Sequence, residues 1–263
     1  MILGIDTGGT KTLLALFSDS GEILRQFKYP TPQNYNEYIL QLIHHVKNDF
    51  ADITAISIAL PSPVEHNRPL RFANLAWQGV DPAKDLTEAL GVPVLVENDV
   101  SLACISECKD TAGLCLYIAI GTGIGSGLAF DGHLVPELAS SFNIGHIVLN
   151  YGGEPREWES FASGKVLTEH FGKKVENGLT ESEWAEVAAR ISCGLLAVCP
   201  IFKPLTIIFG GGVGAHFDYF KPALEPILTT HLKPYYRPKM RLSRRPNEAT
   251  LYGSYDYAKD QLK

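Results

Sequence analysis

The stretch GIDTGGTKT at residues 4–12 decides how this chain is read. It sets a carboxylate (Asp6), glycines, hydroxyl residues and a lysine (Lys11) in one tight turn between two apolar runs, residues 1–5 and 13–17. Each run predicts a strand. The segment is therefore a hairpin whose tip presents backbone N–H groups and hydroxyls, an arrangement that cradles phosphate oxygens. On this reading Asp6 reaches a magnesium ion through water, and Lys11 supplies positive charge to the phosphates. Two commoner phosphate loops fail on the same letters. The Walker pattern needs lysine where Thr10 stands and a helix behind it. The dinucleotide pattern also opens a helix, whereas residues 13–17 read as strand. A plain glycine hairpin is the remaining alternative for the loop taken alone.

Composition narrows the function classes. The 263 residues are 45% hydrophobic and 20% charged, which suits one large or two modest domains with a real core. A formal charge of −6 argues against nucleic acid as a partner, because phosphate backbones are bound by basic surfaces. The basic cluster of Arg237, Lys239, Arg241, Arg244 and Arg245 reads as a solvated face. Five cysteines form no paired framework, and no basic, apolar leader precedes the phosphate loop, so a reducing cytoplasm is expected. Cys104 and Cys108 have helical spacing but no partner pair at zinc spacing, and are expected as buried thiols. No apolar run approaches the length of a membrane span, so no membrane partner is expected.

Working outward, residues 22–27 follow the turn Asp19-Ser20-Gly21 and extend the hairpin to a three-stranded meander. Tyr35, Tyr38, Ile39, Leu42, Ile43, Val46 and Phe50 then fall at helical spacing. Residues 53–60 read as a buried strand, Asp81-Pro82 opens a helix that Gly91 ends, and the strand 92–96 runs into Glu97-Asn98-Asp99. The plan restarts near residue 115: strand 116–120, glycine loop 121–127, strand 128–130, turn Asp131-Gly132, strand 133–135. Loop and turn recur at about the same offset, which suggests an internal duplication. Thr180-Glu181-Ser182-Glu183 is a capping box opening a helix to about residue 198. Strand 205–209 enters a third glycine loop, GGGVG at 210–214. The expectation is an α/β chain of two domains facing each other across a cleft, 1–110 plus 247–263 and 111–246. Its hinge falls near 107–113, and a C-terminal helix at about 248–262 returns to the first domain.

Three glycine loops at strand ends can surround one nucleotide, the first two at the β- and γ-phosphates and the third at the adenosine. Phosphoryl transfer also needs a carboxylate close enough to take the acceptor's proton. Asp99, at a strand tip, fits that role; the alternative is that it merely caps the next helix. Glu159, in EWESFASGK (157–165), and His146, in NIGH (143–146), are further polar candidates.

These loops in this order, with NDVSLA at 98–103 and ASGKVL at 162–167, resemble the ROK family (repressor, open reading frame, kinase) within the superfamily of actin-like ATPases, sugar kinases and Hsp70. The resemblance covers essentially the whole chain. It implies two ribonuclease H-like, actin-like ATPase domains flanking an interdomain cleft. It further implies ATP and magnesium as cofactors, a hexose or N-acetylhexosamine phosphorylated at its 6-hydroxyl, and a homodimer. Carried over by position, it makes Asp99 the base and Asn98 a ligand of a neighbouring hydroxyl. Glu159 and His146 hold the anomeric end, and Asn74 approaches the sugar from the first domain. Asp6, Gly8, Gly9, Thr10 and Lys11 match the first phosphate loop, Thr122 and Gly123 the second, and Gly210, Gly211 and Gly212 the adenosine loop. Three departures stand out. Asn143 replaces a glutamate that contacts the sugar, which bears on sugar preference. Ser62 replaces the glycine of a Pro-Gly-Pro turn. Residues 150–158 contain none of the cysteines that hold structural zinc in many members, so no zinc is expected. DNA-binding members carry a helix-turn-helix before the first phosphate loop, where this chain begins, so a repressor is not expected. A ligand sensor that has lost turnover and an ATPase that activates another enzyme are the competing readings. Asp6, Lys11 and Asp99 oppose the first, and the cysteine spacing opposes the second.

Overall fold

The opening glycines do form a hairpin. In the computed structural model, which describes residues 1–72, 74–135, 142–175, 178–246 and 248–262, β1 (Ile2–Thr7) and β2 (Lys11–Phe17) pair antiparallel with Thr7 opposite Thr12 and Asp6 opposite Leu13. β3 (Ile23–Pro30) completes the meander. α1 (Tyr35–Asp49) is capped by Asn34 and buries Tyr38, Ile39, Leu42 and Val46, part of the stripe read from the sequence. Next come β4 (Ala55–Leu60) and a small ribbon of β5 (Val64–Glu65) with β6 (Arg68–Pro69). α2 (Pro82–Leu90) runs from its Asp81 cap to a left-handed Gly91. β7 (Val94–Asn98) then delivers the chain into α3 (Asp99–Cys108). The sheet order is β3-β2-β1-β4-β7, with β1, β4 and β7 parallel. Parallel strands end together, so the tips of β1 and β7 emerge at one edge of the sheet.

The second sheet repeats this order and these directions. β8 (Leu114–Ile120), β9 (Ile124–Phe130) and β10 (His133–Leu134) form the meander. A hairpin of β11 (Val148–Tyr151) and β12 (Glu154–Glu157) leads to α4 (Glu159–Ala162), α5 (Gly164–Phe171) and α6 (Glu181–Phe202). β13 (Thr206–Gly210) enters the short α7 (Gly211–Gly214), followed by α8 (Phe217–His231) and β14 (Lys239–Leu242). β13 is parallel to both β8 and β14. The last helix, α9 (Ala249–Gln261), packs on the first sheet, where Leu251 and Tyr255 close a cluster with Ala15 and Phe17. The chain accordingly divides into Met1–Ser106 with Glu248–Lys263, and Glu107–Asn247.

Three expectations need correction, and one helix lies beyond them. The second glycine loop is only residues 121–123, because β9 begins at Ile124: the ladder to β8 carries the glycines, with Gly127 opposite Tyr117 and Gly125 opposite Ala119. The basic cluster is not simply a solvated face. Arg241 donates to the Glu107 carbonyl (2.7 Å), and the backbone N–H groups of Arg244 and Arg245 donate to the carboxylate of Glu107, whose side chain is only 1% exposed. α6, at 22 residues, is long and apolar enough to cross a membrane by length and composition. Its Trp184, Val187, Ala188, Ile191, Leu195, Val198 and Cys199 are buried in the second unit's core, which accounts for much of that character. α8 escapes a sequence reading because Pro222 and Pro226 look like breakers. Both are exposed, while Phe217, Phe220, Leu224 and Leu228 form the buried stripe that holds the helix. Cys104 and Cys108 are fully buried thiols, as read.

Candidate active site

The tip of the first hairpin is three residues, Gly8, Gly9 and Thr10, with Lys11 already the first residue of β2. The Gly8 N–H donates to the Lys11 carbonyl (2.9 Å), which closes the turn. The end of β3 braces it from behind. The Thr31 N–H donates to the Thr10 carbonyl (3.1 Å), the Thr31 hydroxyl donates to the Gly8 carbonyl (2.8 Å), and Gln33 Nε2 donates to the Gly9 carbonyl (3.1 Å). Thr31 Oγ1 also lies 2.9 Å from the buried Thr12 Oγ1. A hydroxyl has one proton, and Gly8 consumes that of Thr31, so Thr12 donates and Thr31 accepts. Thr7 is fixed in turn by the buried Tyr38 hydroxyl at 2.8 Å. Thr10 and Lys11 stay exposed. Asn74 packs on the loop: a Cβ on Gly9 would stand 3.2 Å from Asn74 Cβ.

Asp6 leaves β1 beside this tip. The ladder runs from Asp6 to Ala59 on β4 and from Ala59 to Glu97 on β7, so Asp99 lies two residues past the level of Asp6. Burial pushes the Asp6 carboxyl up to about 7, and the nearby Asp99 charge adds to the rise. Asp99 is itself raised to about 6 by burial, against the backbone N–H of Val100, which its Oδ1 accepts at 2.9 Å. Two buried carboxylates with raised values, one of them raised further by the charge of the other, suit a divalent cation, whose charge would lower both.

Asn98 shares the capping of α3 with Asp99. Asn98 Oδ1 accepts the N–H groups of Val100 (3.0 Å) and Ser101 (3.1 Å), and its Nδ2 donates to the Ser62 carbonyl (3.2 Å). Asn98 thus ties the α3 start to the Pro61-Ser62-Pro63 turn, and its side-chain amide also donates to the Asp99 carboxylate, which holds that group down against its burial. Ser62 is buried, its hydroxyl donating to the Pro63 carbonyl and accepting the Arg71 N–H, so it points into the turn.

In the second unit the corresponding tip, Gly121-Thr122-Gly123, carries no ionisable side chain, and Thr122 is exposed. Its fixings come from α4 and α5. The Gly164 N–H donates to the Gly121 carbonyl (2.7 Å), and Glu159 Oε2 accepts the Ile124 N–H (3.1 Å). A Cβ on Gly123 would stand 2.8 Å from that same Oε2, so the carboxylate lies directly on the loop. Glu159 is held by its neighbour Trp158, fully buried, whose Nε1 donates to the Arg190 carbonyl (3.1 Å).

His146 ends a 3₁₀ turn (Ile144–His146). Ser126 of β9 pins the turn by accepting the Ile144 N–H (3.0 Å), and Asn143 caps it by accepting the Gly145 N–H (2.9 Å). The Asn143 oxygen is therefore engaged locally. The tight β11–β12 hairpin returns Glu157 opposite Val148. His146 Nδ1 then lies 3.2 Å from Glu157 Oε2 and 3.8 Å from Glu159 Oε1. The three residues bring potential ligand atoms within 4.8 Å of one another. Glu157 was missed in the sequence, although it stands two residues before Glu159: only pairing across the hairpin brings it to His146. Thr31 and Gln33 were missed likewise, since their roles arise from the end of β3 folding back on the loop.

The third loop follows β13. Gly211 takes φ +76°, and a Cβ there would stand 2.6 Å from the Ile120 carbonyl oxygen, so the chain can pass β8 only as glycine. Gly210 is buried, and Gly212 is exposed.

The ROK family model matches residues 2–261. The chain belongs to the ROK family. It is 28% identical to a glucokinase of Streptomyces coelicolor over 276 residues, covering 86% of each chain. It is 27% identical to an N-acetyl-D-glucosamine kinase of Haemophilus influenzae over 278 residues, covering 88% of this chain and 90% of that one. In fold it is similar to a ROK family glucokinase of Streptomyces griseus solved with glucose and AMPPNP, at TM-score 0.82 and 22% identity over 98% of this chain and 99% of that one. The architecture of this ROK protein is thus the two-domain actin-like fold of these sugar kinases.

Proposed function

We propose that the chain is an ATP- and magnesium-dependent sugar kinase that moves the γ-phosphoryl group of ATP to the 6-hydroxyl of a hexose or N-acetylhexosamine. The observation that carries the reading is the placing of Asp6 and Asp99 at the strand tips of one sheet, close enough that the charge of Asp99 raises Asp6. Asp99 takes the proton of the acceptor hydroxyl: at about 6 its carboxyl is mostly ionised at neutral pH yet basic enough to accept it. Asn98 binds a neighbouring sugar hydroxyl. Asp6 holds the magnesium ion, which when bound neutralises charge on the phosphates. The first loop's N–H groups and Lys11 hold the β- and γ-phosphates, and Thr122 and Gly123 are further phosphate-binding residues. Gly210, Gly211 and Gly212 accommodate the adenosine, and Asn74, His146 and Glu159 hold the sugar. Asn143 serves first as the cap that sets His146.

The relatives' names support a sugar and ATP as the substrate classes. A coupled ADP-release assay across glucose, mannose, fructose, N-acetylglucosamine and N-acetylmannosamine tests the reading, with turnover expected on at least one. Silence on all of them with ATP binding retained moves the assignment to a sugar or nucleotide sensor.

A further inference from the structure

We propose that Glu157 fixes the tautomer of His146, protonating Nδ1 and leaving Nε2 as a hydrogen-bond acceptor. This rests on the reading above that His146 faces the sugar. The geometry is one-sided: Glu157 Oε2 and Glu159 Oε1 stand on the same ring nitrogen, at 3.2 and 3.8 Å. A lone pair on Nδ1 would face two carboxylates, so the ring proton belongs there, against the Nε2–H preference of a free neutral imidazole. Glu159 cannot do this alone. Its Oε2 is committed to the Ile124 N–H, and its other oxygen is the more distant of the two. Among the described residues the Glu157 carboxylate pairs with His146, and it stands at the end of its β-hairpin next to the buried Trp158.

A tautomer fixed in this way decides what His146 recognises. With Nε2 bare, the sugar hydroxyl must donate to it. A sugar carrying fluorine there keeps an acceptor but loses the proton, and is refused. Glu157 is therefore a positioning residue that sets hydrogen-bond polarity at the sugar end. Both side chains of the pair are about half exposed, so the contact adds little to stability and its variants are expected to fold.

The test is imidazole ¹⁵N NMR without sugar at pH 8, where an ordinary histidine is neutral, with His146 assigned by its loss in His146→Gln. Wild type is expected to show a protonated Nδ1 and a bare Nε2. Glu157→Ala should shift the signals toward the Nε2–H form, and Glu157→Asp should restore most of the wild-type pattern. In kinetics, Glu157→Ala should raise the sugar KM roughly tenfold, the effect of one misdirected hydrogen bond, with KM for ATP unchanged. Three results overturn the proposal: an Nε2–H form or an imidazolium in wild type, spectra unmoved by Glu157→Ala, or a metal-bound Nδ1 that a chelator releases. If instead the tautomer is as stated and no sugar perturbs His146, the kinase reading fails while the Glu157 assignment stands.

Discussion

The two hairpin tips make the most instructive comparison in the molecule. β1–β2 and β8–β9 occupy the same place in sheets of the same strand order, yet one is charged and the other neutral. In the ladder, Asp6 pairs one step back from Thr7–Thr12, and Ala119 holds the matching place one step back from Ile120–Ile124. The first tip owns its carboxylate and lysine and is braced by neutral hydroxyls. The second owns neither and takes its carboxylate, Glu159, from a helix downstream. On the function proposed above, a repeated scaffold carries the chemistry in its first unit and recognition in its second.

The sharpest way to break that division is at Asp99. Asp99→Asn should lower kcat by roughly 10²–10⁴-fold with ATP affinity nearly unchanged. Wild-type kcat should also fall with acidity below an apparent pKa of about 6, a limb the variant lacks. Turnover equal to wild type would remove Asp99 as the base and with it the claim that the first unit holds the chemistry.

Asp6 gives the next largest effect, in stability. Its carboxyl is held at about 7 against 3.8 in an ordinary setting, so between those pH values the folded chain binds more protons than the unfolded one. Stability from this group is present below about pH 4 and is lost as pH rises through about 7. The shift corresponds to about 4 kcal/mol as an upper bound. Asp6→Asn should flatten the fall in Tm between pH 5 and pH 8 and abolish the extra Tm that magnesium-ATP adds at pH 8. A variant with the wild-type pH slope would deny the coupling.

The brace can be tested through Thr31. Thr31→Val removes one buried and one part-buried hydrogen bond, about 2 kcal/mol together, and should raise KM for ATP, whereas Thr31→Ser should behave as wild type. Equal ATP kinetics in the two would make the hydroxyl incidental. The smallest effect is expected from Gly123→Ala, whose methyl meets Glu159 Oε2 at 2.8 Å. Overpacking by about 1 kcal/mol should raise the sugar KM several-fold, tying the neutral tip to sugar recognition.

Much of this was legible in the letters. Both hairpins, the α1 stripe, the Asp81 and Thr180 caps and the strand leading into Asn98-Asp99 follow from local periodicity and turn chemistry, which act over a few residues. Glu157 against His146, Thr31 behind Gly8 and Glu107 under Arg241 were not legible, because each contact is made by segments that only the fold brings together. The division between Asn98 and Asp99 was half legible. Both side chains can cap a helix, and the fold shows that Asn98 takes the Ser101 N–H and shares that of Val100 with Asp99.

The return of α9 to the first sheet bears on how the polypeptide is made. Synthesis proceeds from the N-terminus, so the second unit, contiguous from 107 to 247, can be finished on the ribosome before residues 249–261 emerge. Until then Ala15 and Phe17 lack the cover of Leu251 and Tyr255. The half that begins first is the last to close, and a nascent chain stalled before α9 would present a sticky sheet face to chaperones.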